Sequence, residues 1–131
     1  MASERIQERV TSLLAATNDA GGYPSSLVCT QDGLVIASAG EDEAEYTAAV
    51  VSLFDDVLVR ARRDLGFTDV DEVALLDPAR GRTVIRPLPL DSGQTLFLVV
   101  KVPPRATWRR HTNILRKQLA EILETLVREA S

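Results

Sequence analysis

The chain has 131 residues, of which 45% are hydrophobic and 26% charged, a composition that indicates one globular domain over residues 1–131 with its own core. No apolar run approaches the ~20 residues that cross a bilayer, and a single cysteine excludes an internal disulfide, so we expect a cytoplasmic protein without membrane insertion. The net charge of −4 argues against nucleic acid as a partner, because phosphate binding needs a clustered basic surface.

A first helix is predicted from Ser3, whose hydroxyl is a favourable N-cap. Side chains recur at the spacing of one helical face at Ile6, Val10, Leu13, Leu14 and Thr17. The segment Asn18–Gly22 is expected to end this helix, because it contains two consecutive glycines.

A β-hairpin is predicted next, with strands at residues 26–30 and 34–38 joined by Asp32-Gly33. Asp-Gly between runs rich in β-branched residues is a strong hairpin signal, because the turn needs positive φ and glycine adopts it at little steric cost. Residues 34–37 are apolar on both faces of their strand. This pattern predicts helices above and below the sheet.

One long helix is predicted from about Glu41 to Leu65, with acidic side chains at its start and arginines at its end, as the helix macrodipole favours. Its apolar arc of roughly 160° exceeds the ~100° stripe that docking on one surface requires. The arc contains Tyr46, Val50, Leu53, Phe54, Val57, Leu58, Ala61 and Leu65, whereas Ala48, Ala49 and Val59 fall outside it, where small residues would admit a second helix. We favour burial by the chain's own sheet and by a partner subunit; the alternative is a well-buried helix in a compact monomer.

Three more strands are predicted at residues 70–76, 82–86 and 95–100. Turns at Asp77–Gly81 and Asp91–Gly93 separate them, and Pro87 and Pro89 are expected to end the middle strand. The last strand is the most continuously apolar run of the chain, which predicts a central position in the sheet.

A closing helix is predicted from about Thr107, with one apolar face formed by Leu115, Leu119, Ile122, Leu123, Leu126 and Val127. Residues 101–120 hold six basic side chains and no acidic one, whereas the rest of the chain carries nine basic and 19 acidic side chains, a net charge of −10. This distribution predicts one positive surface on an otherwise acidic body.

The Asp32-Gly33 hairpin, the long second helix and the closing amphipathic helix resemble the roadblock/dynein light chain family over about Ile6 to Val127. The most specific part is Thr30–Ser38, which is followed by an acidic spacer and an alanine-containing helix. The resemblance implies an α/β fold of the α+β sandwich type in the order α-ββ-α-βββ-α. About five antiparallel strands would carry one long helix on one face and the N- and C-terminal helices on the other.

The resemblance also implies a homodimer in which the two sheets and the second helices adjoin, and a scaffold or regulator of small Ras-like GTPases or motors without an active site of its own. We expect the self-association surface to contain Tyr46, Ala49, Val50, Leu53, Phe54 and Val57, together with the strand formed by Glu72, Val73, Ala74, Leu75 and Leu76. Pairing of that edge strand with its twin would satisfy backbone groups that an open sheet leaves exposed.

Residues suited to bond-breaking chemistry are few. Cys29 lies in an apolar strand, where a lone thiol behaves as a small buried hydrophobe, and nothing brings it to His111, which we expect to be interfacial or partly buried. The carboxylates of Glu41, Asp42, Glu43 and Glu45 could be drawn as a cation site, but at a helix start they are interpreted as dipole complements. No phosphate loop is present, so we predict no enzyme activity, no metal and no cofactor.

Two groups of arginines are candidates for partner contacts. Arg80 and Arg82 flank a hairpin tip, from where a side chain could reach the transferred phosphate of a GTPase or simply remain exposed without a role. Arg105, Arg109 and Arg110 are predicted in the first turn of the closing helix, where each cation opposes the dipole by about 0.3–1 kcal/mol. An acidic partner surface would explain them; equally, they could lie over the neighbouring tryptophan or pair with the chain's own carboxylates.

The function hypothesis is a non-catalytic dimeric scaffold or regulatory module that binds a small Ras-like GTPase, or a motor or signalling partner, and modulates or localises it. The alternative is a small-molecule sensor domain of related architecture, with a ligand held between the sheet and a helix. The two differ in where the apolar side chains of residues 46–65 lie. The first requires them exposed for association, and the second requires them around an enclosed cavity.

Overall fold

The computed structural model describes residues 2–40 and 43–130. In chain order its elements are α1 (Ala2–Gly21), β1 (Ser25–Thr30), β2 (Val35–Gly40), α2 (Ala44–Val51), α3 (Phe54–Leu65), β3 (Val73–Asp77), β4 (Gly81–Pro89), β5 (Thr95–Val102) and α4 (Arg109–Ala130). Glu41 and Asp42, predicted at a helix start, and the side chains of Ser3, Leu126 and Val127 lie outside the described residues.

The five strands form one antiparallel sheet in the order β2-β1-β5-β4-β3. β5 is central, as its apolar run predicted, with Val28 of β1 opposite Leu98 and Val84 of β4 opposite Val100. β2 and β3 are the two edges. Helices cover both faces, which confirms the predicted α+β sandwich and its order α-ββ-α-βββ-α.

Each face of the sheet has its own apolar core. On one face, α1 and α4 enclose the larger core, whose fully buried members include Val10, Leu14, Val28, Leu98, Leu115 and Leu119. On the other face, α2 and α3 pack on the sheet through Cys29, Ala48, Val51, Leu58 and Phe97. Because successive residues of a strand point to opposite faces, β1 and β5 contribute to both cores.

The hairpin predicted at Asp32-Gly33 is present and lies against α2. Gly33 has φ +86°, and its N–H donates to the Thr30 carbonyl at 3.0 Å. A Cβ atom at Gly33 would lie 3.0 Å from the Ala48 carbonyl oxygen. Glycine is therefore required twice at this turn, for its backbone conformation and for the close approach of a helix.

The predicted helical segment ending at Leu65 is present but is interrupted between α2 and α3. The Leu53 N–H donates to the Val50 carbonyl, three residues back, at 3.1 Å, and the Ser52 hydroxyl donates to the Ala49 carbonyl at 2.6 Å. In a regular α-helix, the Leu53 N–H would donate to the carbonyl four residues back, so the bonds at Leu53 and Ser52 mark an irregular turn. The segment therefore consists of two helices in sequence.

β4 runs through Pro87 to Pro89, so the expectation that these prolines end the strand is wrong. The Leu90 N–H donates to the Gln94 carbonyl at 2.8 Å, so the Leu90 nitrogen faces β5. Because backbone nitrogens along a strand point alternately to its two sides, the nitrogens of Pro87 and Pro89 face away from β5. The pairing with β3 ends at Ile85, and no described strand lies beside the prolines on that side. Their missing N–H groups therefore break no ladder bond.

Several element boundaries also differ from prediction, among them those of α1, β3 and α4. α1 extends to Gly21 and ends in a left-handed Gly22 (φ +72°) rather than stopping from Asn18. β3 begins at Val73 instead of residue 70, and the preceding side chains of Asp71 and Glu72 bond to Arg86 and Trp108. α4 begins at Arg109, two residues later than predicted.

Gly81→Ala is expected to destabilise the fold much more than Gly66→Ala. Both glycines have positive φ, at +103° and +74°, so each alanine carries about 1–2 kcal/mol of backbone cost. A Cβ at Gly81 would also lie 2.1 Å from the Val102 carbonyl oxygen, whereas nothing lies within 4 Å of one at Gly66. Urea unfolding should give a loss for Gly81→Ala that exceeds the loss for Gly66→Ala by about 2 kcal/mol. Equal losses would contradict this close packing.

Candidate interaction surface

An apolar surface lies on the outer side of α2 and α3 and on the edge strand β3. Its most exposed large side chains are Tyr46 (79%), Leu53 (70%) and Leu76 (63%). We call it the α2–β3 patch and define it by Tyr46, Ala49, Val50, Leu53, Phe54, Val57, Ala74, Leu75 and Leu76, of which only Phe54 is half-buried. A contiguous patch of large exposed apolar side chains is typical of an interaction site.

The patch exists because the wide apolar arc of residues 46–65 divides between core and surface. Leu58 and Ala61 pack on the sheet, whereas Tyr46 and Val50 point away from it. Ala48 was predicted outside the arc, and this placement is wrong, because Ala48 is fully buried against the sheet. Its small side chain lets the helix lie close to the sheet and leaves the larger side chains outside.

A groove joins the helical and strand parts of the patch. Its volume is about 220 Å³, and it is lined by Tyr46, Thr47, Val50, Val51, Phe54, Leu75, Thr83 and Ile85. Thr83 and Ile85 belong to β4, so the groove runs from the helices across β4 to the edge strand β3. The two parts of the patch therefore form one continuous surface.

The edge strand β3 pairs with β4 alone among the described strands, so its outer backbone groups have no strand partner there. Ala74, Leu75 and Leu76 are exposed, and Val73 is half-buried against the core beneath α2 and α3. Glu72 was predicted in this strand but precedes it. Its carboxylate accepts a hydrogen bond from the Trp108 indole at 2.6 Å and thus lies on the face of the sheet that α1 and α4 cover.

Glu72 belongs to a polar cluster centred on Arg86, a residue that the sequence motifs did not single out. Arg86 is 2% exposed. Its guanidinium donates to Thr112 Oγ1 and Asn113 Oδ1 at 2.7 Å each and to Asp71 Oδ2 at 2.6 Å. Its Nε lies 3.8 Å from Glu72 and has no hydrogen-bond partner. The available signal was one arginine inside the otherwise apolar run of residues 84–88.

Asp71 joins this cluster to α4, because its second oxygen accepts a hydrogen bond from Arg116 at 2.9 Å. Partial desolvation would raise the pKa of Asp71, but the hydrogen bonds from Arg116 and Arg86 outweigh it and hold the pKa below its usual value. The cluster fixes the chain just before β3. The sequence-predicted edge strand is therefore anchored to α4.

The predicted partner-contact arginines occupy different environments. The Arg82 guanidinium lies 5.1 Å from the centre of the Trp108 ring, so the tryptophan contact considered for the other group is made by Arg82. Arg80 is exposed in the turn before β4. Arg105 lies in the loop before α4 with φ +74°, not in the first helical turn as predicted, whereas Arg109 and Arg110 do begin the helix.

Cys29 and His111 do not form a catalytic pair, because they lie on opposite faces of the sheet. Cys29 is fully buried beneath α2 and α3, and burial raises the pKa of its thiol to about 12. His111 is half-buried on the other face, where its ring makes an edge contact with Tyr23 at 6.0 Å. A protonated buried thiol is not a nucleophile at physiological pH.

Iodoacetamide at pH 8 is expected to leave Cys29 unmodified in the folded protein. The pKa rises from 9.0 to about 12, which reduces the thiolate fraction about 1,000-fold before burial slows access further. Intact mass after timed quenching should therefore show modification only in the presence of urea. Comparable rates with and without urea would contradict the buried environment.

Metal-ligating side chains are scattered over residues 2–40 and 43–130. No group of three or more metal-ligating side chains comes together there, and the predicted carboxylate cluster includes Glu41 and Asp42, which lie outside them. Where α2 faces strands β1, β2 and β5, one space of about 10 Å³ is scarcely enough for one water molecule. The larger depression between α1 and β2 is an open surface feature of about 840 Å³. The larger helix–sheet space of about 220 Å³ is the open groove of the α2–β3 patch, so none of these described spaces is the enclosed cavity that the sensor alternative requires.

No protein-family model matches the chain, and no curated protein sequence matches it significantly. Solved structures do share its fold. Two of these are structures of MglB, one of the gliding protein from Thermus thermophilus and one of MglB in a tetrameric arrangement. Each has a TM-score of 0.78 and 19% identity over 92% of this chain. The match covers 92% of the first structure's chain and 91% of the second's. A Roadblock/LC7 domain from Streptomyces avermitilis has a TM-score of 0.63 and 18% identity, covering 92% of this chain and 96% of its own.

A type II free methionine-R-sulfoxide reductase from Thermoplasma acidophilum has a TM-score of 0.66 and 11% identity over 98% of this chain and 96% of its own. The predicted resemblance to the roadblock family is confirmed at the level of the fold. The same architecture also carries an enzyme, so the function must be argued from the surface of this chain. In the described part of the chain, no helix combines the length and apolarity needed to span a membrane.

Proposed function

We propose that this chain is a non-catalytic, homodimeric module of the cytoplasm that binds a small Ras-like GTPase, or a related motor or signalling partner, and modulates or localises it. The observation that carries this proposal is the α2–β3 patch, which exposes large apolar side chains beside an unpaired strand edge. Water contact with such a surface is unfavourable, and covering it with another protein surface removes that cost.

In the proposed homodimer, the α2–β3 patch of one subunit covers the same patch of its twin about a two-fold axis. One self-complementary surface then serves both subunits, as in most symmetric dimers. Pairing of β3 with its twin would join the two five-stranded sheets and would give partners to the outer backbone groups of β3. Tyr46 and Leu53 would become buried between the helices of the two subunits.

A small GTPase is the partner class favoured by the resemblance to the roadblock family, and the likeness in fold to MglB and to a Roadblock/LC7 domain supports the same choice. Burial raises the pKa of the Cys29 thiol, and the described residues contain no group of side chains that could hold a metal ion. The proposed effect on a GTPase is therefore conformational. Binding would favour one arrangement of its switch loops and so alter its nucleotide cycle.

The test is capture of purified Ras-like GTPases from the same organism by the immobilised protein, with each GTPase loaded with GDP or with a non-hydrolysable GTP analogue. We expect one GTPase to bind with a preference of about tenfold or more for one nucleotide state, because only differential affinity shifts a two-state equilibrium. An unrelated GTPase of similar charge is the control. If no GTPase of the organism binds in either nucleotide state, the GTPase assignment is wrong.

A further inference from the structure

Four arginines lie on neighbouring segments at one corner of the molecule. The turn between β3 and β4 lies against the loop after β5, because a Cβ at Gly81 would be 2.1 Å from the Val102 carbonyl oxygen and 2.9 Å from the Pro103 carbonyl carbon. The stacking of Arg82 on Trp108 ties the same strand to the start of α4. We call Arg80, Arg105, Arg109 and Arg110 the arginine corner.

The positive charge of the arginine corner is not neutralised within the described part of the chain. All four side chains are exposed, and none makes an ion pair or side-chain hydrogen bond among residues 2–40 and 43–130. The nearby carboxylates are engaged elsewhere. Asp77 accepts the Ala79 N–H at 2.9 Å, and Asp71 and Glu72 are held by the Arg86 cluster.

Two local features of the corner are unfavourable for the isolated subunit. Arg109 and Arg110 stand at the N-terminus of α4, where the helix dipole is already positive. Arg105 has φ +74°, a left-handed conformation that costs energy in any residue with a Cβ. Unfavourable conformations and uncompensated charges of this kind concentrate where a protein holds side chains ready for a ligand.

We propose that the arginine corner docks an acidic surface of the partner protein. This inference rests on the proposed function and names the chemistry of one partner contact. Planar guanidinium groups bind carboxylates through paired hydrogen bonds, so an array of arginines matches a surface rich in aspartate and glutamate.

A protein partner is favoured over a nucleic acid or a lipid surface by the cleft next to the corner. This cleft has a volume of about 360 Å³, and Leu75, Leu76, Asp77, Arg80 and Arg82 are among its lining residues. Its apolar members belong to the α2–β3 patch, so in the proposed dimer the corner would lie beside the interface between the two subunits. Asp77 beside these arginines would repel a dense array of phosphates, whereas the individual side chains of a folded protein can match both charges.

The test measures binding of a fluorescein-labelled peptide of alternating Asp and Glu residues by fluorescence anisotropy. The variant is the double charge reversal Arg109→Glu/Arg110→Glu. The matched control is Arg5→Glu/Arg9→Glu, at two exposed positions near the N-terminus of α1. The C-terminal end of α1 is the end near the corner, because the Tyr23 hydroxyl just after it donates to the Thr107 carbonyl just before α4. Both variants change the net charge equally.

We expect the wild type to bind the peptide, and the corner variant to bind it about tenfold or more weakly, at 0.15 M salt, where distant charges are screened. The control should weaken binding by less than about threefold. No binding by the wild type, equal loss in both variants, or tighter binding to phosphatidylglycerol vesicles or duplex DNA with the same arginine dependence would each overturn the proposal. Retained far-UV circular dichroism establishes that both variants are folded.

The same two variants separate this inference from the proposed function in the GTPase capture experiment. Capture that is weakened by the corner variant and not by the control supports both. Equal capture by wild type and both variants would leave the proposed function standing and would overturn the arginine corner. Peptide binding that depends on the corner, with no GTPase captured, would support the corner and overturn the GTPase assignment.

Discussion

Leu53→Asp is expected to convert the proposed dimer into a folded monomer. Leu53 is 70% exposed between α2 and α3, so a carboxylate there stays hydrated in the free subunit. In the proposed interface the same carboxylate would lose its water without gaining a counter-charge, which strongly disfavours association. Light scattering during gel filtration at tens of micromolar should give twice the 14.3 kDa subunit mass for the wild type and one subunit mass for Leu53→Asp.

The matched control is Ile114→Asp, because Ile114 is a 51% exposed apolar residue on α4, on the other side of the sheet. This variant should keep the mass of the wild type. Phe54→Asp is a weaker test, since Phe54 is half-buried and packs against the core beneath α2 and α3, so loss of folding would accompany loss of association. A monomeric wild type, or a Leu53→Asp variant that remains a dimer, would remove the α2–β3 patch from the interface.

Arg86→Met is expected to lower the free energy of unfolding by about 3 kcal/mol, the largest loss we predict for a single polar side chain. Methionine nearly fills the buried space, but Thr112 loses its charged donor, and Asn113 and Asp71 keep only the hydrogen bonds from Arg116. Urea unfolding followed by circular dichroism measures the difference. Arg80→Ala is the control and should change stability by no more than about 0.5 kcal/mol, because Arg80 is exposed.

The loss caused by Arg86→Met should also depend on pH. The folded-state pKa of Asp71 lies below its ordinary value of 3.8, so its pairing stabilises the fold above that value and is lost as the pH falls through the folded-state pKa. The stability difference between wild type and Arg86→Met should therefore be constant near neutral pH and narrow below about pH 4. A difference that stays constant to pH 2 would show that the pair with Asp71 contributes nothing.

Local features of the fold were predictable because few residues decide them. Asp32-Gly33 specifies its turn through the conformational freedom of one glycine, and Gly33 indeed has φ +86°. The continuous apolar run of β5 requires neighbours on every side, which places it at the centre of the sheet. In both cases the information lies within about ten consecutive residues.

The orientation of α2 and α3 was not predictable from periodicity. When apolar residues cover about half the circumference of a helix, several rotations bury a similar area, and the pattern does not choose among them. The choice depends on how closely the helix approaches the sheet, which Ala48 permits and Tyr46 would prevent. The continuation of β4 through Pro87 and Pro89 likewise depends on where β3 ends.

The Arg86 cluster depended wholly on tertiary structure. Its partners Asp71, Thr112 and Asn113 lie 15 to 27 residues away in the sequence, on a loop and a helix. The arginine corner likewise arises only where the hairpin turn meets the loop after β5. Sequence reasoning identified its members as two separate groups and could not join them.

The amino-acid sequence alone specified the class of fold, the order of its elements and the presence of more apolar side chains along residues 46–65 than one sheet can cover, because propensity and periodicity act over short distances. The three-dimensional packing was needed to show which of those side chains remain exposed, which edge strand adjoins them and which arginines share a corner. Contacts between segments far apart in the chain decide these outcomes. In such close packing, the volume of a single side chain can determine which face of a helix is buried.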